Sequence, residues 1–238
     1  MARVKTRKEC MFETIILLTG EIEQTALSAA LLGHNPAITV LTIERAEQLF
    51  ALSRDVLRLS RLIAFVTPVI VPKSILDQIG YGAVNFHPGP PNYPGWAPAH
   101  FALYEQACEF GATVHVMVEK VDAGPIIDLA RFPIPPGTTV FGLEGMAYAR
   151  LAFLFWRMAR GLACSPALPE ALPEIWGERK YSRRSYLSMC DIPLDISKSE
   201  LDRRMRVFGG NCFGVTPTVK LHGIEFRAVV PPAPVVRF

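Results

Sequence analysis

Cysteine is sparse in this sequence and never closely paired. The five residues, Cys10, Cys108, Cys164, Cys190 and Cys212, are odd in number and form no C-x-x-C, which argues against a disulfide framework or a structural zinc site and for reduced thiols in a cytoplasmic protein without a bound metal. A strong charge of one sign is also missing. Lys plus Arg number 25 against 22 Asp plus Glu, a formal net charge of +3, too small to demand a nucleic-acid partner. No apolar run suits a membrane span: the most apolar helix-like stretch, Phe141 to Ala163, contains Glu144, Arg150, Arg157 and Arg160, which are costly at mid-bilayer. It reads as a core helix, and no membrane partner is expected. The run from Ile15 to Leu18 is too short for a signal h-region, and residues 1–13 read as a disordered arm. Repeats and low-complexity tracts are absent. The first turn, Thr19-Gly20-Glu21, is not G-x-G-x-x-G, so a nicotinamide cofactor has no support.

What is present is an ordered chain, 50% hydrophobic and 20% charged, long enough to bury a substantial core. Thr14 to Thr19 is a β-branched apolar run followed by helical spacing from Glu21 to Leu32. A second strand is expected over Ala37 to Ile43, a second helix over Glu44 to Leu59, and a doubly buried strand with its exit loop over Arg61 to Val71. A short helix at Ser74 to Ile79, a strand at Gly82 to Phe86, a helix at Ala97 to Cys108 and a strand at Thr113 to Val118 continue the alternation. This pattern predicts an α/β fold, a Rossmann-like doubly wound and mostly parallel sheet.

Proline-punctuated residues 165–178 are expected to be a linker between a main domain at 14–164 and a small subdomain at 179–238. In that subdomain Ser197-x-x-Glu200 starts a helix that Gly209-Gly210 ends, and His222-Gly223 turns a hairpin. The appendage is therefore helix plus hairpin. Arg179 to Arg184 is the one basic cluster, read as a solvated face or as a surface for a diphosphate.

Asn85-Phe86-His87-Pro88-Gly89-Pro90 and Val121-Asp122-Ala123-Gly124 hold the chemistry. An amide can donate to a developing oxyanion, an imidazole can take a proton from an amine, and a carboxylate can orient that imidazole. In the expected topology His87 lies just past a strand's carboxyl end and Asp122 in the loop after the following strand, where ligands of open α/β sheets bind. Taken singly, each motif is equally at home as turn chemistry. The loop from Pro88 to Gly95 contains four prolines and is stiff, either as the wall of an acceptor pocket or as a plain surface loop. Within it Gly89, Pro90, Tyr93 and Gly95, with Trp96 beyond, are the candidate substrate contacts; Tyr93 and Trp96 suit stacking on a base or sugar as well as packing. His115 reads as a strand residue beside the site.

The order Asn-x-His-Pro, Tyr93-Pro94-Gly95, Gly111-Ala112-Thr113-Val114-His115 and Val121-Asp122-Ala123-Gly124 resembles the folate-dependent formyltransferases, strongly over about residues 60 to 130. The resemblance implies that Asn85, His87 and Asp122 are the catalytic set of a domain spanning 14–164. It further implies a 10-formyltetrahydrofolate donor, contacted by Phe65, Thr67, Val69 and Val71 and by Val121 and Gly124 around the aspartate. Two departures touch the acceptor loop: Gly89 stands where a serine often follows His-Pro, and Pro94 where an arginine often precedes the glycine. The resemblance and the compact tail imply a small amine acceptor, above all a nucleotide-linked amino sugar. A methionyl-tRNA formyltransferase acting on tRNA is a less favoured alternative, as are a formyltetrahydrofolate hydrolase and a non-catalytic folate- or nucleotide-binding relative. A homodimer is compatible with this reading.

Overall fold

The computed structural model describes residues 12–210 and 212–229; the arm expected at 1–13 lies almost wholly outside the described residues. Strand β1 (Thr14–Leu18) leads through α1 (Glu21–His34) to β2 (Thr39–Ile43). The helix expected over 44–59 is two short ones, α2 (Ala46–Phe50) and α3 (Arg54–Arg58). The break falls at Ser53, whose hydroxyl accepts from the Val56 N–H and so caps a new helix instead of continuing the old one.

Strand β3 (Ser60–Phe65), buried along its length, is followed by α4 (Lys73–Leu76) and β4 (Ala83–His87). Next come α5 (Pro98–Tyr104), β5 (Glu109–Val116), β6 (Ile126–Pro133) and the long α6 (Val140–Cys164). The sheet order is β2-β1-β3-β4-β5-β6. The first four strands are parallel, as expected, but β5 runs antiparallel to β4 and β6 antiparallel to β5. The sheet is thus a Rossmann-like, mostly parallel one with a hairpin at one edge.

Alternation along β4 sorts its side chains. Val84 and Phe86 pack in the core formed with Leu151, Leu154, Phe155 and Met158 of α6, each such apolar residue contributing roughly 1.5–3 kcal/mol when fully buried. Asn85 and His87 consequently face the other side, beside their cross-strand partners His115 and Thr113. Thr139 caps α6 by accepting from the Gly142 N–H, and its buried residues recur at helical spacing from Leu143 to Leu162.

After α6 the chain runs without regular structure to α7 (Arg183–Cys190), α8 (Lys198–Phe208) and the antiparallel hairpin of β7 (Thr218–Leu221) and β8 (Ile224–Arg227). Helix α7, unforeseen in the sequence, is capped reciprocally by Ser182 and Ser185. Tyr181, Tyr186, Val207 and Phe208 share one aromatic core with Tyr93, Phe101, Phe110 and Phe132, so the segments on either side of 165–178 are joined by packing. Among the described residues no helix is long and apolar enough to cross a membrane.

Candidate active site

Because β5 is antiparallel, it exits at the opposite end of β4 from His87. The loop after it must turn back across the sheet face to bring Asp122 to the imidazole, a different route from the one the parallel reading supplied. It does so with Asp122 in the left-handed region (φ 46°), a conformation that aspartate tolerates better than most side chains. The Asp122 carboxylate is then held from several sides. Oδ2 accepts from the Gly95 N–H at 2.7 Å and lies 3.5 Å from Nδ1 of His87. Oδ1 lies 3.3 Å from Nε2 of His115 without the alignment of a hydrogen bond, and is buried. Gly95 must be glycine: its φ is 101°, and a Cβ there would sit 2.0 Å from the Tyr181 carbonyl oxygen.

His115 orients the amide of Asn85. Its Nδ1 faces the Val116 carbonyl at 2.9 Å, an acceptor only, so that nitrogen holds the proton and Nε2 is free to accept from Asn85 Nδ2 at 3.1 Å. Asn85 thereby has one amide N–H committed and a second to give.

His87 has acceptors on both sides, the Asp122 carboxylate at Nδ1 and the Tyr93 carbonyl oxygen 3.4 Å from Nε2. A neutral ring can donate to only one of them, and protonation would give the other a donor. Burial pushes the His87 imidazole below its ordinary value; Asp122 opposes the shift and His115 adds to it. Burial alone would raise the Asp122 carboxyl, but His87, His115 and the Gly95 N–H outweigh it and hold the group at about 2. The result is a neutral imidazole beside a fixed carboxylate, the state of a proton acceptor. Gly89 is close by, and a Cβ on it would lie 2.8 Å from His87 Nε2.

Asp122 opens onto a cavity of about 490 Å³ lined by Pro94, Lys120, Gly124, Trp176 and Lys180 among others. Lys180 donates to the Val121 carbonyl; burial lowers it and Asp122 opposes that shift. Trp176 donates from Nε1 to the Gly124 carbonyl at 2.8 Å, and its ring meets those of His115 and His87 edge-on. Neither Trp176 nor Lys180 was singled out in the sequence, since one lay in the expected linker and the other in the basic cluster. A lone tryptophan in a proline-rich polar stretch was the available signal.

The remaining expected contacts divide. The side chains of Phe65 and Val71 are buried in the hydrophobic core and can offer a ligand only backbone. Val69 packs against the core and Thr67 accepts from the Val69 N–H, while the alternate residues Val66 and Ile70 are exposed. Val66 has a φ of 43°, unusual for a β-branched residue and consistent with strain beside a site. Val121 and nearby Val118 are likewise exposed, and Gly124 lines the cavity. Gly89, Pro90 and Tyr93 are buried, Tyr93 stacking on Tyr181, and Trp96 packs against Phe213 and Tyr186. The structure therefore brings together Asn85, His87, Gly95 and Asp122, and uses Tyr93 and Trp96 for packing.

The sequence profile described as formyl transferase matches residues 44–147. A methionyl-tRNA formyltransferase of Listeria monocytogenes serotype 4a (strain HCC23) is 34% identical over 120 residues, covering 50% of this chain and 36% of the relative. The matched stretch thus spans little more than a third of that enzyme. Among solved structures, a sugar N-formyltransferase from a Shewanella species aligns with a TM-score of 0.71 at 14% identity, over 94% of this chain and 99% of the other. An N-formyltransferase from Helicobacter canadensis, solved in complex with folinic acid and dTDP-3-aminofucose, aligns with a TM-score of 0.63 at 15% identity over 90% and 85%. At these identities the likeness is one of fold, and the profile match and the relative support one conclusion: residues 44–147, which hold the site, are similar to the formyl transferase family.

Proposed function

We propose that this protein transfers a formyl group from 10-formyltetrahydrofolate to the amine of a small acceptor, a nucleotide-linked amino sugar. The observation that carries the reading is Asp122 Oδ1, a buried carboxylate oxygen without a hydrogen bond, next to a neutral imidazole and an amide with an N–H to spare. An unsatisfied buried charge is costly unless a ligand completes it, and an incoming amine supplies the missing donor. The exposed apolar side chains of Val66, Ile70, Val118 and Val121 fit a flat pterin ring, with backbone groups of 66–71 and 121–124 to pair its polar edge.

When bound, the donor supplies an activated formyl carbonyl. Asn85 Nδ2, oriented by His115, donates to the formyl oxygen as negative charge develops. His87 takes the proton of the amine, and Asp122 aligns the ring and stabilises its charged form. No nucleophilic serine or cysteine is required.

Asn85→Asp is expected to lower the catalytic constant by about a hundredfold with little change in donor affinity, because it sets a negative charge where charge develops. Asn85→Ala should be less severe. Steady-state kinetics with donor titration check this, and an aspartate variant as active as the parent would refute the oxyanion role.

A small acceptor is supported by the cavity's size and by likeness in fold, over nearly the whole chain, to enzymes described as sugar N-formyltransferases. The 34% identity to the Listeria enzyme favours a second reading with tRNA as acceptor. The test incubates the protein with 10-formyltetrahydrofolate and either amino-sugar nucleotides, charged initiator tRNA or no amine, across a salt series. Formylation of the sugar nucleotide with shallow salt dependence is expected, since a diphosphate releases few counterions. Efficient, steeply salt-sensitive formylation of tRNA with sugar nucleotides inert would establish the second reading, and formate alone would mark a hydrolase.

A further inference from the structure

The stretch from Ser165 to Lys180 has no core of its own: none of its residues is fully buried. Hydrogen bonds hold it across the site instead. The Leu172 N–H donates to the Ile126 carbonyl at 2.7 Å and the Gly177 N–H to the Pro91 carbonyl at 2.8 Å, with the Trp176 indole bonded to Gly124 between them. Buried Tyr181 then anchors the far end by pairing with the backbone of Pro94 and Trp96. A segment tied down mainly by hydrogen bonds opens locally at lower cost than an element of the core.

Leu168 packs against the main core at one end, and Trp176 meets the catalytic rings at the other. The Trp176 ring lies 5.0 Å from that of His115 and 5.8 Å from that of His87, edge-on to both. Beneath it His87 and Asp122 are each only 5% exposed, although Asp122 fronts a sizeable cavity. An indole suits this place, with an apolar body over the imidazoles and a polar handle for the Gly124 carbonyl.

We propose that Trp176 seals His87 from bulk water and so sets whether the formyl group goes to an amine or to water. In transfer, the amine nitrogen bonds to the formyl carbon, the donor's N–C bond breaks, and the amine proton passes through His87 to the departing nitrogen. In hydrolysis a water oxygen takes the amine's place, the same bond breaks, and formate leaves. Asn85 and His87 would serve both reactions alike, so the choice lies with what reaches the imidazole, and water exclusion is the device that decides it. The partition rests on the formyl-transfer reading; the seal does not.

Carbethoxylation by diethyl pyrocarbonate, followed residue by residue by mass spectrometry, measures the seal directly, with exposed His34 and His222 as references in the same sample. His87 of the parent should react at least about tenfold more slowly than these, Trp176→Ala should remove most of that protection, and Trp176→Phe should retain it. An alanine variant as protected as the parent, or a parent whose His87 reacts as fast as His34, would overturn the seal. With donor and amine present, the ratio of formate to formyl-amine should rise about tenfold in Trp176→Ala. Equal falls of both products would overturn the partition. A parent that releases no formyl group to amine or water would remove the transfer reading and the partition with it, while the protection pattern still decides the seal.

Discussion

Turnover should fall by at least about a hundredfold in His87→Ala and in Asp122→Asn, the usual scale of a lost general acid-base contribution. The alanine removes the imidazole placed to accept a proton beside the carboxylate. The asparagine keeps a group able to accept from the Gly95 N–H but loses the charge that stabilises imidazolium, so the ring becomes a poorer base. The pH profile separates the two roles. Burial lowers the His87 imidazole and Asp122 partly restores it, so the active neutral form persists below the ordinary imidazole value of about 6.5. The acid limb of kcat/KM should lie below that value in the parent and move to still lower pH in Asp122→Asn, since the group opposing the depression has gone. An acid limb that moved upward, or near-parental turnover in either variant, would remove His87 from the role of base.

How much of this was legible beforehand differs with the length scale of the interactions. The strands from Thr14, Arg61 and Gly82 could be read because both faces of each are buried or alternate cleanly, a property of a few consecutive residues. The juxtaposition of Asn85, His87 and Asp122 could be anticipated because each sits in a short motif. The direction of β5 could not, since a strand's hydrophobic pattern is the same whether it pairs parallel or antiparallel. Which side chains of 65–71 point out was hidden for a related reason: a continuous apolar run conceals the alternation, and Phe65 and Val71 face the core while Val66 and Ile70 do not. Trp176 was hidden by its company. Its neighbours have the composition of a linker, and only a contact with His87, far away in sequence, gives it a place in the site.

Arg61 was read simply as the start of an apolar strand, yet its replacement by leucine should cost at least about 3 kcal/mol, the scale for breaking a buried hydrogen-bonded charge site. It is wholly buried, and among the described residues its hydrogen-bond partners are carbonyl oxygens rather than a carboxylate. Nε donates to Tyr81 at 3.0 Å, Nη1 to Leu162 at 2.6 Å and Nη2 to Pro166 at 3.0 Å, while the guanidinium lies 4.8 Å from the Phe12 ring centroid. Burial lowers it to about 10, so it stays charged at neutral pH. Leu162 lies in the last turn of α6, where free carbonyls and the helix dipole favour a cation, and Pro166 opens the stretch that crosses the site. Arg61 thus ties β3 to both. Leucine would leave the three carbonyls without this donor, and lysine, with one ammonium on a flexible stem, could not reproduce the fork that serves all three. Urea unfolding should therefore show Arg61→Lys recovering less than half of the loss, and a leucine variant within about 1 kcal/mol of the parent would refute this account of the residue.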